Sequence, residues 1–318
     1  MQGLRIAELA ESLENEVGSI FVGSKETVHL ALLGLLGGMH VLIEDIPGVG
    51  KTTLALALAR AAGLSFSRIQ FTPDMLPGDV LGVNVWDPML REFVFQEGPI
   101  NAQCILADEL NRTSPRTQSA FLEAMQEGRI TIDGRTRVLP APFFLIGTQN
   151  PSTFAGTFPL PEAELDRFGL SFSVGYPTGD EEVEILRRRS APGENAGLEA
   201  LHAVADPEMI AASRREIAGI HVAENVRDYI VAMIRATRQN QYIRLGASPR
   251  ASIFLQHAAR SRAAMEGRDF VLPEDVQAIA PAVLSHRIIL SSQARLEKME
   301  SSNCIRTIAA SILKPTGL

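Results

Sequence analysis

Val41-Leu42-Ile43-Glu44-Asp45-Ile46-Pro47-Gly48-Val49-Gly50-Lys51-Thr52-Thr53 is the stretch whose reading decides the fold. Val41–Glu44 reads as a buried strand, 45–50 as a glycine-rich turn, and 53–62 as a helix closed by Gly63. That order makes a phosphate cradle. Gly48 and Gly50 let backbone N–H groups turn towards phosphate oxygens, and the helix start adds partial positive charge. Lys51 has the reach for β- and γ-phosphates, and Thr52 for a magnesium ion; Asp45, Pro47, Val49 and Thr53 complete the candidate contact set. Asp45 stands where this pattern usually has its first glycine, while the Gly-Lys-Thr end is intact.

Working outward, a second apolar strand, 103–107, ends in Asp108 and Glu109. Successive strand residues point to opposite sides, so the two carboxylates need not compete for one task. Asp108 is placed to hold magnesium through its water shell, and Glu109 to polarise an attacking water. A third strand, 143–147, delivers Thr148, Gln149 and Asn150 to the same carboxyl edge, where open α/β sheets bind their ligands. Asn150 is placed to orient that water; the alternative is an Asn-Pro turn with Pro151.

At 318 residues the chain is long enough for one large domain and a smaller one, each burying its own core. The alternation of short apolar runs with helical ones describes a parallel α/β domain over 1–188. A polar, small-residue connector follows at 189–199, then a helical domain at 200–318, with Val226, Ile230, Met233 and Ile234 at helical spacing. The net charge of −7 excludes an overall attraction to nucleic acid or anionic lipid. Cys104 and Cys304 form no disulfide framework, and the six histidines lack metal-ligand spacing, which leaves them structural. The residues from Met1 lack the basic start and apolar core of a signal peptide, and the apolar run 30–39 is too short for a membrane span, so a cytoplasmic location is expected.

Two insertions read as hairpins. Leu81, Val83 and Val85 alternate with polar positions, a turn is expected at Asp87-Pro88, and Phe93 and Phe95 resume the alternation beside the single tryptophan, Trp86. Arg129–Ile132 and Arg135–Val138 flank Asp133-Gly134, a two-residue hairpin signal. These insertions either present a contact surface or cap the domain. A helix over Pro115–Glu127 is expected, with Ser114 as its N-cap and Gly128 as its stop.

In that order the elements resemble an AAA+ ATPase. The words EDIPGVGKTTLA from Glu44, RIQFTPDMLPGDVLG from Arg68, LADELNRTSPRTQSAFLEAMQEG from Leu106, GTQNP from Gly147, LPEAELDRF from Leu160 and LGASPRAS from Leu245 narrow the resemblance to the MoxR family. The resemblance implies an AAA+ phosphate-loop core with a parallel sheet and hairpin insertions, followed by a smaller all-α lid. It implies ATP and magnesium as cofactors and a ring, expected to be hexameric, with nucleotide bound between neighbours. In that scheme Asn150 is the first sensor, Arg167 the arginine finger and Arg250 the second sensor, with catalysis shared among them and Glu109. Phe21, Val22 and Gly23 lie where the family lines its adenine pocket. The expected activity is ATP hydrolysis that remodels or activates a partner protein, such as one with a von Willebrand factor A domain or a metal- or cofactor-dependent enzyme. A metal-chelatase motor subunit is the alternative; a nucleic-acid motor is disfavoured by the acidic charge.

Overall fold

The computed structural model describes residues 6–150, 157–189 and 201–315. Two helices open the chain, α1 (Ile6–Ile20) and α2 (Lys25–Gly37). They lead into β1 (Val41–Glu44), α3 (Lys51–Ala61) and β2 (Phe66–Gln70). Beyond these come β5 (Cys104–Asp108), α5 (Pro115–Glu127), β8 (Phe144–Gln149) and β9 (Leu170–Phe172). The five strands form one parallel sheet in the order β2-β5-β8-β1-β9. Three of them, β1, β5 and β8, are buried almost throughout, as strands covered on both faces must be.

Strand alternation splits the sheet's side chains between two cores. Val41, Ile43, Leu106 and Ile146 face one, and Leu42, Ile105, Ala107 and Leu145 the other. The second core is closed by α5 through Phe121, Leu122 and Met125. The first continues without a break through α1, α2 and α3 into the carboxyl-terminal helices.

Those helices are α8 (Pro207–Gly219), α9 (Glu224–Gln239), α10 (Pro249–Met265), α11 (Pro273–Leu284), α12 (Ser292–Leu296) and α13 (Ser301–Ser311). They follow α6 (Glu162–Leu165), which precedes β9, and α7 (Gly179–Arg189). The connector expected at 189–199 lies outside the described residues except for Arg189, and so does Pro151. The expectation that each domain buries its own core is corrected: one of the two cores runs from the sheet into the carboxyl-terminal helices. Helix α2 buries nine residues, including Leu32, Leu33, Leu35 and Leu36 in one run, so it is apolar on more than one side and packs against both parts of the chain. Polar groups reinforce this seam: Arg214 donates to the carbonyls of Leu35 and Phe143, both at 3.2 Å, and His257 bonds the carbonyl of Gly37. A short antiparallel pair, β10 (Ile243–Leu245) with β11 (Ile289–Leu290), lies within the helical part.

Both insertions are hairpins. β6 (Arg129–Ile132) and β7 (Arg135–Val138) pair as expected around Asp133 and Gly134, both at positive φ. In the first, β3 (Gly82–Asp87) pairs with β4 (Glu92–Glu97), and the turn spans 88–91 rather than Asp87-Pro88. The Asp87 carboxylate accepts from the N–H groups of Met89 and Leu90, which fixes that longer turn. Leu81 belongs not to the hairpin but to a short helix, α4 (Pro77–Leu81), started by Pro77 and by the Asp79 carboxylate accepting the Leu76 N–H.

Among the described residues no helix is long and apolar enough to cross a membrane. Both cysteines are free and buried. The histidines His40, His257 and His286 serve backbone carbonyls, and no group of three or more metal-ligating side chains occurs among the described residues.

Candidate nucleotide site

The loop between β1 and α3 has the backbone its glycines predict: Gly48 and Gly50 sit at φ of 90° and 87°, conformations that strain any residue with a Cβ. Lys51, the first residue of α3, is buried, and its ammonium folds back onto the loop, donating to the carbonyls of Asp45 at 2.9 Å and Ile46 at 3.1 Å. Burial pulls its pKa below the ordinary lysine value, opposed by the nearby carboxylates of Asp45, Asp108 and Glu109. Thr52 follows in the first turn of α3. The Phe21 ring lies against the loop, since a Cβ on Gly50 would come within 3.3 Å of it.

Both carboxylate oxygens of Asp45 are engaged within the chain. Its Oδ2 accepts from Ser173 Oγ at 2.8 Å and from the N–H groups of Val174 and Gly175, both at 2.7 Å, while Oδ1 accepts from the Ile46 N–H. The residue replacing the usual glycine therefore ties the loop to the segment after β9.

At the end of β5, Asp108 and Glu109 take different side-chain partners. Asp108 Oδ1 accepts from Thr148 Oγ1 at 2.8 Å, and Oδ2 from Arg68 Nη2 at 2.7 Å. Glu109 leaves the strand in a left-handed conformation, φ 56°, and its N–H donates to the same Thr148 hydroxyl. A non-glycine residue there costs about 1–2 kcal/mol, so the turn is held by its surroundings. Glu109 Oε1 accepts from Asn150 Nδ2 at 3.0 Å, and Oε2 from Gln70 Nε2 at 3.0 Å and Arg112 Nη1 at 2.8 Å. Asn150 is set in turn by Asn111, whose amide pairs with the Asn150 backbone through both its nitrogen and its oxygen.

The structure thus brings Lys51, Asp108, Glu109 and Asn150 to one sheet edge, and adds five side chains to which no role was assigned: Arg68, Gln70, Asn111, Arg112 and the Thr148 hydroxyl. The signal for two of them was present. Arg68 and Gln70 alternate with the buried Ile69, which puts them on one side of a strand whose end pairs Gln70 with Asp108.

The two other arginines lie elsewhere. Arg167 Nε pairs with Glu164 Oε2 at 2.8 Å and its Nη1 donates to the Leu122 carbonyl. Arg250 stands at the start of α10, with its guanidinium 5.6 Å from the Phe254 ring centroid. Beside it, Ser248 Oγ donates to Asp166 Oδ2, and Arg287 donates to the carbonyls of Asp166 and Phe168. The helical part thus grips Asp166-Arg167-Phe168 on both sides of the arginine.

A hydroxyl and a carboxylate, Thr52 and Asp108, are hard oxygen donors suited to magnesium, and two are enough only when phosphate oxygens complete the shell. The donor set fits a nucleotide-borne ion.

Comparison with known proteins agrees with this geometry. Residues 40–170 match the profile of the ATPase family associated with various cellular activities (AAA), and residues 235–308 that of the AAA lid domain. The chain is 43% identical to the uncharacterized protein YeaC of Bacillus subtilis, covering 96% of this chain and 95% of that one. It is 39% identical to the chaperone MoxR1 of Mycobacterium tuberculosis, over 94% of this chain and 81% of the relative. A crystal structure of a putative ATPase from Cytophaga hutchinsonii superposes with a TM-score of 0.89 at 36% identity, covering 98% of this chain and 97% of the other. With its phosphate loop, paired carboxylates and helical lid in that order, the chain belongs to the MoxR family of AAA+ ATPases.

Proposed function

We propose that the chain binds and hydrolyses ATP and uses the turnover to remodel or activate a partner protein. The observation that carries this reading is the convergence of Lys51, Asp108, Glu109 and Asn150 on the carboxyl edge of the sheet. Lys51 leaves its two loop carbonyls to meet the β- and γ-phosphates. Thr52 and Asp108 would hold magnesium, which would supply neutralisation of phosphate charge. Glu109 takes the proton of the attacking water on its carboxylate, and Asn150, already bonded to that carboxylate, orients the water. Phe21, Val22 and Gly23 border the adenine.

Arg167 completes the site of a neighbouring subunit in a ring, as a hexamer would allow, and Arg250 serves as the second sensor. The Arg167 contacts support this: it is held by Glu164 and the Leu122 carbonyl rather than by its own phosphate loop. Exposed apolar side chains on the first hairpin, Trp86, Met89, Leu90 and Phe93, offer the partner surface. The MoxR1 relative is named a chaperone, and a von Willebrand factor A domain protein is the partner first to be tried.

Glu109→Gln tests the core of this reading. It keeps every phosphate and metal contact, so binding of a fluorescent ATP analogue should persist while turnover falls about 10²–10⁴-fold. Used as bait in cells, the same variant should retain its client. Hydrolysis at the parental rate would remove Glu109 as the base.

A further inference from the structure

Asp108, the carboxylate read above as facing magnesium, has a cation of this chain in contact with it: Arg68 Nη2 stands 2.7 Å from its Oδ2. The acid is largely buried, with 12% of its side chain exposed, whereas Arg68 is about half exposed at 47%. Arg68 sits on β2, the edge strand, so its head has solvent to move into while Asp108 is fixed by Thr148. Its second bond, also from Nη2, goes to Gln70 Oε1 at 2.7 Å, and Gln70 in turn donates to Glu109. One guanidinium therefore links both carboxylates.

We propose that Arg68 is a built-in counter-cation for Asp108, which the incoming divalent ion must displace, so that Arg68 sets how much magnesium the site requires. The inference rests on the reading of Asp108 as the metal-facing carboxylate. Its physical basis is competition. A buried carboxylate needs a compensating charge, and here a monovalent guanidinium supplies it. A divalent cation held at the same carboxylate, even through its water shell, would repel that guanidinium and compete with it for the carboxylate charge. Arg68 swings outward, which also frees the Gln70 oxygen and loosens the hold of Gln70 on Glu109. Arg68 is a positioning residue here, acting through Asp108.

The test is a magnesium titration of fluorescent ATP-analogue binding to the full chain, a readout independent of turnover. Arg68→Gln and Arg68→Met remove the charge; both should lower the half-saturating magnesium concentration, by roughly three- to tenfold given the strength of a partly exposed ion pair. Arg68→Lys keeps the charge and should stay near the parent. Thermal melts establish that each variant is folded, and the two neutral variants differ in size and polarity, so a packing defect in one is not repeated in the other. An unchanged requirement in both, or a higher one, overturns the proposal, the higher value meaning that Arg68 merely orients Asp108. Asp108→Asn separates the two levels. If it abolishes the magnesium dependence while the Arg68 variants titrate like the parent, only the counter-cation role fails; if it titrates like the parent, the metal assignment fails and the proposal with it.

Discussion

The loop end of the sheet and the β3–β4 hairpin break opposite rules. At the sheet edge, charged and polar groups are buried, and each finds a partner inside the chain: Lys51 on loop carbonyls, Asp108 on Thr148 and Arg68, Glu109 on Asn150, Gln70 and Arg112. On the hairpin, large apolar groups stand in solvent, with Met89 90% and Phe93 67% exposed and Trp86 stacked edge-on against Phe93 at 5.4 Å. Buried charge is tolerated where it is paired, and exposed apolar surface persists where a partner will cover it. On the function proposed above, the first region exchanges internal partners for a ligand and the second meets its partner outside the chain. The hairpins are joined to each other, Arg137 lying 3.7 Å over the Phe95 ring and Asn84 donating to Asp133, so the contact surface is held as a unit.

The largest effect that could break this contrast is at Lys51. Lys51→Ala removes the one side-chain cation of the phosphate loop, and calorimetric ATP affinity should fall at least about a hundredfold, as loss of a buried charge-assisted contact implies. An unchanged affinity removes Lys51 from the site.

Arg167→Ala should bind ATP normally and hydrolyse it about a hundredfold more slowly or worse, in the range of other supplied arginines. Mixed with Lys51→Ala subunits, which keep their own Arg167, it should regain activity once subunit exchange is established by fluorescence transfer. A mixture as inactive as its parents assigns Arg167 to the Glu164 pair alone.

Asp45→Gly restores the commoner loop residue and is nevertheless expected to destabilise. It strands the Ser173 hydroxyl and two backbone N–H groups, a loss of about 2–4 kcal/mol in urea unfolding, with ATP affinity retained in whatever remains folded. Stability equal to the parent would show that this tie contributes nothing.

The smallest expected change in stability is at the hairpin. Trp86→Ala gives up one edge-on ring contact and little burial, so unfolding should shift by no more than about 1.5 kcal/mol, with basal ATPase intact and client capture weakened. A large drop in melting temperature would make Trp86 part of the packing.

Most of the fold was legible because the signals are local. The strand Val41–Glu44 came with its bounds, and so did the helix Pro115–Glu127, since Ser114 accepts the Thr117 N–H and Gly128 ends it at positive φ. The Asp133-Gly134 turn forced its hairpin. Side-chain capture of the backbone was harder to read: Asp87 widened one turn and Asp79 started α4, each through a carboxylate choosing among several nearby N–H groups.

By itself the sequence determined the order of elements and which residues reach the sheet edge, because hydrophobic period, glycine conformation and caps act within a few residues of one another. Only the tertiary structure decided what those residues touch. Arg68 lies 40 positions from Asp108, Asp45 lies 128 from Ser173, and Asn150 lies 41 from Glu109. Parallel strand pairing brings such positions together through register, which no local pattern encodes. The same holds for the shared core: the burial of α2 on both sides depends on where the last helices come to rest, and that is a property of the packed chain.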